Sequence, residues 1–160
     1  QKKGIVYCMG AKMDLEGHLV GQPIELDTTQ VGTFGETKIY STINSDDKKQ
    51  IMVFKILKRN DQFKFVTLLF DKDLQLKHKS RSTIQFDERK DEFSDFSLDN
   101  EGNFVFTRSV KIGTRSNASS LFLVRKPPLE DSFSERQIDL KGLFIDEVKI
   151  KIDNFSINQL

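Results

Sequence analysis

The stretch Leu98-Asp99-Asn100-Glu101-Gly102-Asn103-Phe104-Val105-Phe106 decides the fold of this 160-residue chain. An Asp-Asn-Glu-Gly cluster separates two apolar runs, which is the local pattern of a β-hairpin. Aspartate and asparagine hydrogen-bond to their own backbone in turns, and glycine adopts positive φ without steric cost. The sequence therefore predicts a strand, a tight turn and a second strand here.

This pattern recurs along the chain at a nearly constant spacing. Related stretches lie upstream at 44–54, with one extra turn residue, and downstream at 148–154, where only the first half is repeated. The leading aspartates, Asp46, Asp99 and Asp153, are 53 and 54 residues apart. A second series of turns interleaves with the first, at Asp14-Leu15-Glu16-Gly17, Asp71-Lys72-Asp73-Leu74 and Lys126-Pro127-Pro128-Leu129.

The two turn series together indicate the fold class. Two hairpins in each period imply four strands per repeat, and four-stranded repeats of roughly 40–50 residues are typical of β-propeller blades. No segment of eleven or more residues has the 3.6-residue apolar period of a helix. The sequence predicts an all-β fold of antiparallel four-stranded meanders that form a partial β-propeller. The alternative is a β-sandwich, in which the two sheets close face to face.

The repeat divides the chain into four parts. We expect half a blade, of two strands plus a connection, in residues 1–36, complete blades in 37–92 and 93–142, and the first strand of a further blade in 143–160. A propeller needs four or more blades to close its ring, so we expect a longer chain or a covering partner. The predicted strands are Gly4–Met13, His18–Leu26, Lys38–Asn44, Gln50–Lys58, Gln62–Phe70, Leu74–Phe86, Phe93–Leu98, Asn103–Lys111, Ser120–Arg125, Ser134–Leu140 and Val148–Ile152.

Composition narrows the class of protein. Charged residues make up 31% and hydrophobic residues 37%, as in water-soluble globular proteins. The net charge of +1 indicates no general attraction to nucleic acid or anionic lipid. The sequence contains no run of 18 apolar residues, so it predicts no transmembrane helix. Cys8 is the single cysteine, which excludes an intrachain disulfide, and its alternating apolar neighbours predict a buried strand thiol.

No arrangement of residues in the sequence points to catalysis. His18 and His78 are the two histidines, 60 residues apart, and we interpret both as exposed strand histidines. A zinc site needs further ligands close by, and a calcium loop needs a twelve-residue array ending in a bidentate glutamate, which the Asp99 turn lacks. The motifs of serine hydrolases and zinc peptidases are absent. We therefore predict no enzyme activity, no catalytic residues, no metal ligands and no cofactor.

Other features of the sequence have ordinary structural explanations. The 14 phenylalanines include Phe104 and Phe106 at alternate positions, which predicts sheet packing. The basic run from Lys77 to Arg81 is flanked by acidic residues, as in an edge strand that resists aggregation. N-glycosylation patterns, which often occur by chance, begin at Asn117 and Asn154.

Four stretches carry a resemblance to a known group. They are Tyr7-Cys8-Met9 followed by 14–26, then 45–53, then 63–76, then 99–105. In order, they resemble the elements "D-x-x-G-x-L/x-G-x-P-x-x-L", "S-x-D-x-x-K-I-x-V", "F-x-F-x-V-x-D-x-x-L-x-L" and "D-x-x-G-N" of large, uncharacterised β-propeller-like envelope proteins of Bacteroidota. Lys77 and His78 stand where that group often has a tryptophan. The resemblance implies an exported protein of roughly six or more blades, of which this chain is a segment of about two to three.

The resemblance also implies a function. We expect a non-enzymatic binding or scaffolding segment in the periplasm or at the cell surface, with protein or glycan partners, no nucleic acid and no membrane span. The alternative is a non-catalytic propeller attached to a hydrolase, peptidase or sensor in a longer chain. Asp27-Thr28-Thr29 resembles the site that Bacteroidota glycosylate on exported proteins, so Thr28 is a candidate O-glycosylation site in an expected exposed connection. No residue is singled out as ligand-binding.

Overall fold

The computed structural model describes residues 4–31, 39–59, 62–85, 87, 90–111 and 117–154. These residues form ten β-strands and no helix, which confirms the all-β class, and they contain no helix long and apolar enough to cross a membrane. The chain divides into two compact units, Gln1–Tyr40 and Ser41–Leu160. The strands are β1 (Gly4–Gly10), β2 (Ile24–Val31), β3 (Ser41–Asn44), β4 (Gln50–Arg59), β5 (Gln62–Asp71), β6 (Leu76–Gln85), β7 (Asp91–Leu98), β8 (Phe104–Lys111), β9 (Ala118–Lys126) and β10 (Ser134–Ile138).

The first unit contains a two-stranded antiparallel hairpin. β1 pairs with β2 from Gly4 opposite Val31 to Gly10 opposite Ile24, with one irregularity after Cys8. The apolar side chains on one face of β1 are exposed, which is unusual for a strand of this composition. A two-stranded hairpin buries little apolar surface, so its own packing contributes little stability.

The second unit contains two four-stranded antiparallel sheets. The strand orders are β3-β4-β5-β6 and β7-β8-β9-β10, so each sheet is a meander in which neighbours in sequence are neighbours in space. Hairpin turns follow β3, β5, β7 and β9, as predicted near Asp46, Asp71, Asp99 and Pro127. The predicted antiparallel meanders are therefore confirmed.

Phenylalanine rings from both sheets form the core of the second unit. Phe65 of the first sheet stacks on Phe106 of the second with ring centroids 5.3 Å apart, and Phe54 contacts Phe104 at 5.0 Å. Phe104 and Phe106 are fully buried, which confirms their predicted role in sheet packing. Aromatic pairs of this kind add about 0.5–1.5 kcal/mol each beyond the area they bury. The face of each sheet that bears these rings therefore packs against the other sheet.

Two predicted strands differ from the structure. The second strand begins at Ile24 instead of His18 and continues through Asp27 and Thr28 to Val31, so the predicted connection from Asp27 is strand up to that point. Gly21 has φ +84°, and proline follows at position 23, so the chain turns before the strand begins.

The predicted last strand, Val148–Ile152, is not a strand in the structure. Its sequence alternates between apolar residues and lysine, as a half-buried strand does. A strand exists only through its backbone ladder, and no described residue forms a ladder with this segment. The alternation of apolar and polar residues therefore predicted a strand here, but the described residues contain no strand that pairs with it.

Candidate functional site

Three turns, one of the first series and two of the second, share one conformation. In each, the first aspartate accepts hydrogen bonds through Oδ1 from the backbone N–H groups two and four residues later, at 2.7–3.0 Å. The fourth residue of each turn has positive φ, which glycine adopts most easily. The aspartates are Asp14, Asp71 and Asp99, and the positive-φ residues are Gly17, Leu74 and Gly102. The turn at Lys126-Pro127-Pro128-Leu129 differs, because the Glu130 N–H donates to the Pro127 carbonyl at 3.4 Å and no aspartate begins it.

The turn between β3 and β4 is a variant with one extra residue. Ser45 begins it, and its hydroxyl accepts the Gln50 N–H at 3.0 Å and donates to Asp47 Oδ1 at 2.7 Å. The same Asp47 oxygen accepts the Lys49 N–H at 3.0 Å. These bonds, that of Ser45 first, lower the pKa of Asp47 below its usual value. The turn therefore keeps an ionised carboxylate at neutral pH.

Three turns that are one repeat apart are joined by hydrogen bonds. The Asp47 N–H donates to Asn100 Oδ1 at 3.1 Å, and the Asn100 N–H donates to Asn154 Oδ1 at 2.9 Å. These partners are 53 and 54 residues apart, which are the spacings of the sequence repeat. The Asn154 amide also donates to Asp46 Oδ2 at 2.8 Å, so each of the three turns is bonded to the other two. We call Asp46, Asp47, Asn100 and Asn154 the turn ring.

A cavity of about 520 Å³ lies beside the turn ring. Its lining comes from residues 42–44 with Asp46, residues 96–98, and residues 150–152, which are equivalent segments of three repeats. Its lining is mixed: about half of the lining residues are apolar, among them Phe96, and its polar groups are hydroxyls, an amide, one carboxylate and the Lys151 ammonium. We call it the central cavity. Ligand-binding pockets commonly combine this size with apolar walls and a few polar groups.

His18 lies in the first unit, within a small group of metal-type ligands. Its Nδ1 is 3.4 Å from Asp14 Oδ2 and 3.8 Å from Glu16 Oε2. Ligand atoms of these three residues lie within 4.8 Å of one another, and all three residues are exposed. The sequence places them at alternate positions of a turn, and Asp14 Oδ1 already serves the turn. The structure places His18 in that turn instead of the predicted strand.

His78 has a partner from the next repeat. On β6, its Nε2 is 2.9 Å from Asp131 Oδ1, in the turn before β10 and 53 residues further along the chain. Ser82, on the same strand, donates its hydroxyl hydrogen bond to the backbone carbonyl of Asp131. A nucleophilic serine would donate to the imidazole instead. The contact therefore ties the first sheet to the second, and we assign it no catalytic role.

Arg108 on β8 is held by two carboxylates and a ring. It makes two bonds to Glu135, at 3.2 and 2.7 Å, and one to Asp91 at 3.3 Å. Its guanidinium carbon lies 4.2 Å from the centroid of the Phe122 ring. Arg108 lines a groove of about 500 Å³ between β6 and β10, but the two carboxylates already balance its charge. The groove therefore has no unbalanced cation for an anionic ligand.

Burial shifts the pKa of two side chains that nothing in the sequence singles out, one of them buried and the other half-buried. Lys126, at the end of β9, is 2% exposed, and burial lowers its pKa below the usual value. In the first unit, burial raises the pKa of Tyr40 to about 12, although a hydrogen bond with Thr29 opposes the rise. Tyr40 also donates to Asp27 Oδ2 at 2.9 Å. Neither lysine nor tyrosine is usually enclosed in this way, so only packing reveals the two positions.

The candidate modification sites have different surroundings. Thr28 is exposed but lies within β2, opposite Tyr7, instead of in a connection. Asn117 is exposed. The Asn154 side chain, in contrast, uses both its oxygen and its nitrogen in the turn ring. A glycan on that nitrogen would therefore compete with the Asp46 contact.

Comparison with known proteins finds no match. No protein-family model matches the chain, and neither does any curated protein or any solved structure.

Proposed function

We propose that this chain is a segment of a β-propeller that serves as a non-enzymatic binding or scaffolding element. The observation that carries the proposal is the turn ring with its central cavity. Equivalent segments from three successive repeats contribute to one cavity, and their turns bond to one another. Radial repetition around a channel has this property, because each blade contributes its innermost strand to the axis.

A two-sheet sandwich is less consistent with these contacts. In a sandwich the core lies between two sheets, and nothing requires a third repeat to approach the first. Here Asn154 of the third repeat bonds to Asp46 of the first as well as to Asn100 of the second. The buried valines and leucine on the opposite face of β4 and β5 add support, because blades inside a propeller are covered on both faces. These residues are Val53, Val66 and Leu68.

A binding role is supported by the character of the central cavity. Its mixture of apolar and polar lining groups suits part of a protein partner or a glycan, and its one ammonium and one carboxylate give no strong net charge. We place the protein in the periplasm or at the cell surface, in line with the resemblance to envelope proteins and with the exposed Thr28.

Site-specific photo-crosslinking tests the binding role. A photoreactive residue at Thr42, which lines the central cavity, should capture one defined partner in intact cells of the native host. The same residue at Lys79, on the exposed side of β6, is the matched control and should not capture that partner. Equal capture at both positions, or none at Thr42, would contradict a role for the cavity.

Light scattering after size exclusion tests the propeller assignment separately. Incomplete blades expose apolar faces and edges, so the 160-residue chain should associate as its concentration rises. A stable monomer with one cooperative unfolding transition would favour the sandwich instead. Export is tested by cell fractionation, and the modification by peptide mapping, where an unmodified Thr28 would remove that support.

A further inference from the structure

Segment Val148–Ile152 has the sequence of a strand but lacks a strand's hydrogen bonds. Val148, Ile150 and Ile152 are half-buried, while Lys149 and Lys151 between them are exposed. Among the described residues, one backbone group of this segment has a hydrogen-bond partner: the Ile150 N–H, which donates to the Asp95 carboxylate. Backbone groups that are left unpaired near an apolar surface lower stability, so such a segment favours a partner.

The segment is anchored on both sides in a strand-like position. Before it, Ile145 exchanges two backbone hydrogen bonds with Ala118, at 2.9 and 3.1 Å. After it, Asn154 joins the turn ring. Cavities of about 240 and 520 Å³ lie along its two halves, so space for neighbouring atoms is available. The anchors hold the chain in place, and none of the described strands pairs with this segment.

The equivalent strands of the other repeats show what this segment lacks. Position 150 corresponds to Ile43 in β3 and to Phe96 in β7, and both of those strands pair with the next strand of their sheet. The contact between the first two repeats, Asp47 with Asn100, continues unchanged as Asn100 with Asn154. The interface between repeats thus extends to this segment, but its pairing strand is missing among the described residues.

We propose that Val148–Ile152 is an acceptor for an antiparallel β-strand with alternating apolar and acidic residues. In an extended chain, neighbouring residues direct their backbone groups to opposite edges. The Ile150 N–H donates to Asp95, so in an extended segment the N–H groups of Lys149 and Lys151 point to the opposite edge. Apolar residues of the added strand pack beside the half-buried isoleucines, and acidic residues stand opposite the lysines. Opposite charges at such cross-strand positions stabilise pairing by about 0.2–1 kcal/mol.

This inference rests on the proposed function, because the same equivalence of repeats places three turns in one ring. It also names a partner class for the scaffold: an extended segment that adds a strand, a known mode of peptide recognition. Lys149 is already close to Glu147, at 3.0 Å, and a bound carboxylate would share or replace that exposed contact. The central cavity and the acceptor edge are neighbouring parts of one surface.

A designed peptide tests the proposal by NMR on the whole chain. The probe is acetyl-Val-Glu-Ile-Glu-Val-amide, and the matched control has lysine in place of each glutamate. At saturating probe, amide exchange at Lys149 and Lys151 should slow by about tenfold or more, as for newly paired strand amides. The lysine peptide should leave both rates unchanged. The double variant K149E/K151E should reverse this preference, and it alters exposed side chains, so the fold should persist.

The same spectra separate this inference from the proposed function. The Asp47 and Asn100 amides report on the turn ring, so their protection without peptide supports the repeat arrangement. Slow exchange at Lys149 and Lys151 before any peptide is added would overturn the acceptor, because the edge would already be paired within the chain. Unchanged rates with the glutamate peptide, with the ring amides protected, would overturn the acceptor alone. Unprotected ring amides would count against the proposed function.

Discussion

Hairpins β1–β2 and β5–β6 contain the same turn but have different surroundings. Asp14 and Asp71 accept the same pair of backbone N–H groups, at 2.8–3.0 Å in both turns. Yet Phe65 and Leu68 of β5 are fully buried, whereas Tyr7 of β1 is 56% exposed. The turn aspartate therefore specifies a hairpin locally, and neighbouring strands supply its stability.

The largest expected effect comes from the buried side of this comparison. Phe65→Ala removes a ring that contacts Phe93, Phe106 and Phe133, so the free energy of unfolding of the second unit should fall by about 3–5 kcal/mol. Tyr7→Ala, on exposed β1, is the aromatic control. It should change the free energy of unfolding of the first unit by less than about 0.5 kcal/mol. Urea denaturation followed by NMR of each unit measures both. Similar losses for the two variants would show that β1 is also packed.

Substitution of a turn aspartate should likewise destabilise the protein more at the buried Asp99 than at the exposed Asp14. Asp99 is 6% exposed, and its carboxylate also accepts the Asn103 side-chain amide at 2.6 Å. Asp99→Ala leaves buried donors unpaired and should destabilise the second unit by about 1–3 kcal/mol. Water can replace the Asp14 carboxylate because that residue is exposed, so Asp14→Ala should have a smaller effect, about 0.5–1 kcal/mol. Thermal unfolding of both variants tests the order, which a larger loss for Asp14→Ala would contradict.

The turn ring should show coupling between repeats. Asn100→Ala and Asn154→Ala each remove hydrogen bonds that join equivalent turns, so each should cost about 1 kcal/mol in the second unit. In the double variant the losses should be less than additive, because the Asn154 side chain holds the Asn100 backbone in place and the Asn100 side chain in turn accepts the Asp47 N–H. Gln75→Ala, at an exposed turn position, is the control and should be neutral. Additive losses in a double-mutant cycle would mean that the three turns are independent.

Alkaline pH should change the stability of the two units in opposite directions. The pKa of Lys126 in the folded protein is below its ordinary value of 10.5. At a pH between these two values, unfolding takes up a proton, so the stability of the second unit should rise with pH. The folded pKa of Tyr40 is about 12 against an ordinary 10.0, so unfolding releases a proton between these values, and the first unit should lose stability.

Methyl NMR signals of Ile5 and Leu68 follow the two units separately through denaturant titrations between pH 9 and pH 11. Lys126→Met should abolish the rise in the second unit and stabilise it by about 1 kcal/mol at neutral pH, because a buried charge is removed. Tyr40→Phe should abolish the alkaline loss in the first unit. A pH response that survives either substitution would assign it to another group.

Several features of this protein were determined by the sequence alone, because they depend on interactions within a few residues. The turn aspartates, the glycines at positive φ and the alternation of apolar residues predicted the all-β class, the two meanders and four turn positions. The alternating phenylalanines predicted the core because side chains two residues apart share a face of a strand. Gly21 and Pro23 are local signals for the later start of β2, at Ile24.

Tertiary structure alone decided the features that depend on distant partners. Val148–Ile152 has a strand's alternation but no ladder, because a strand requires pairing that its own residues do not encode. The bonds between Asp47, Asn100 and Asn154 join residues 53 and 54 positions apart, and the repeat predicted their equivalence but not their contact. Burial of Lys126 and Tyr40 likewise depends on how strands and turns pack around them. Local chemistry sets turns and strands, whereas the meeting of repeats around the turn ring follows from packing over the whole unit.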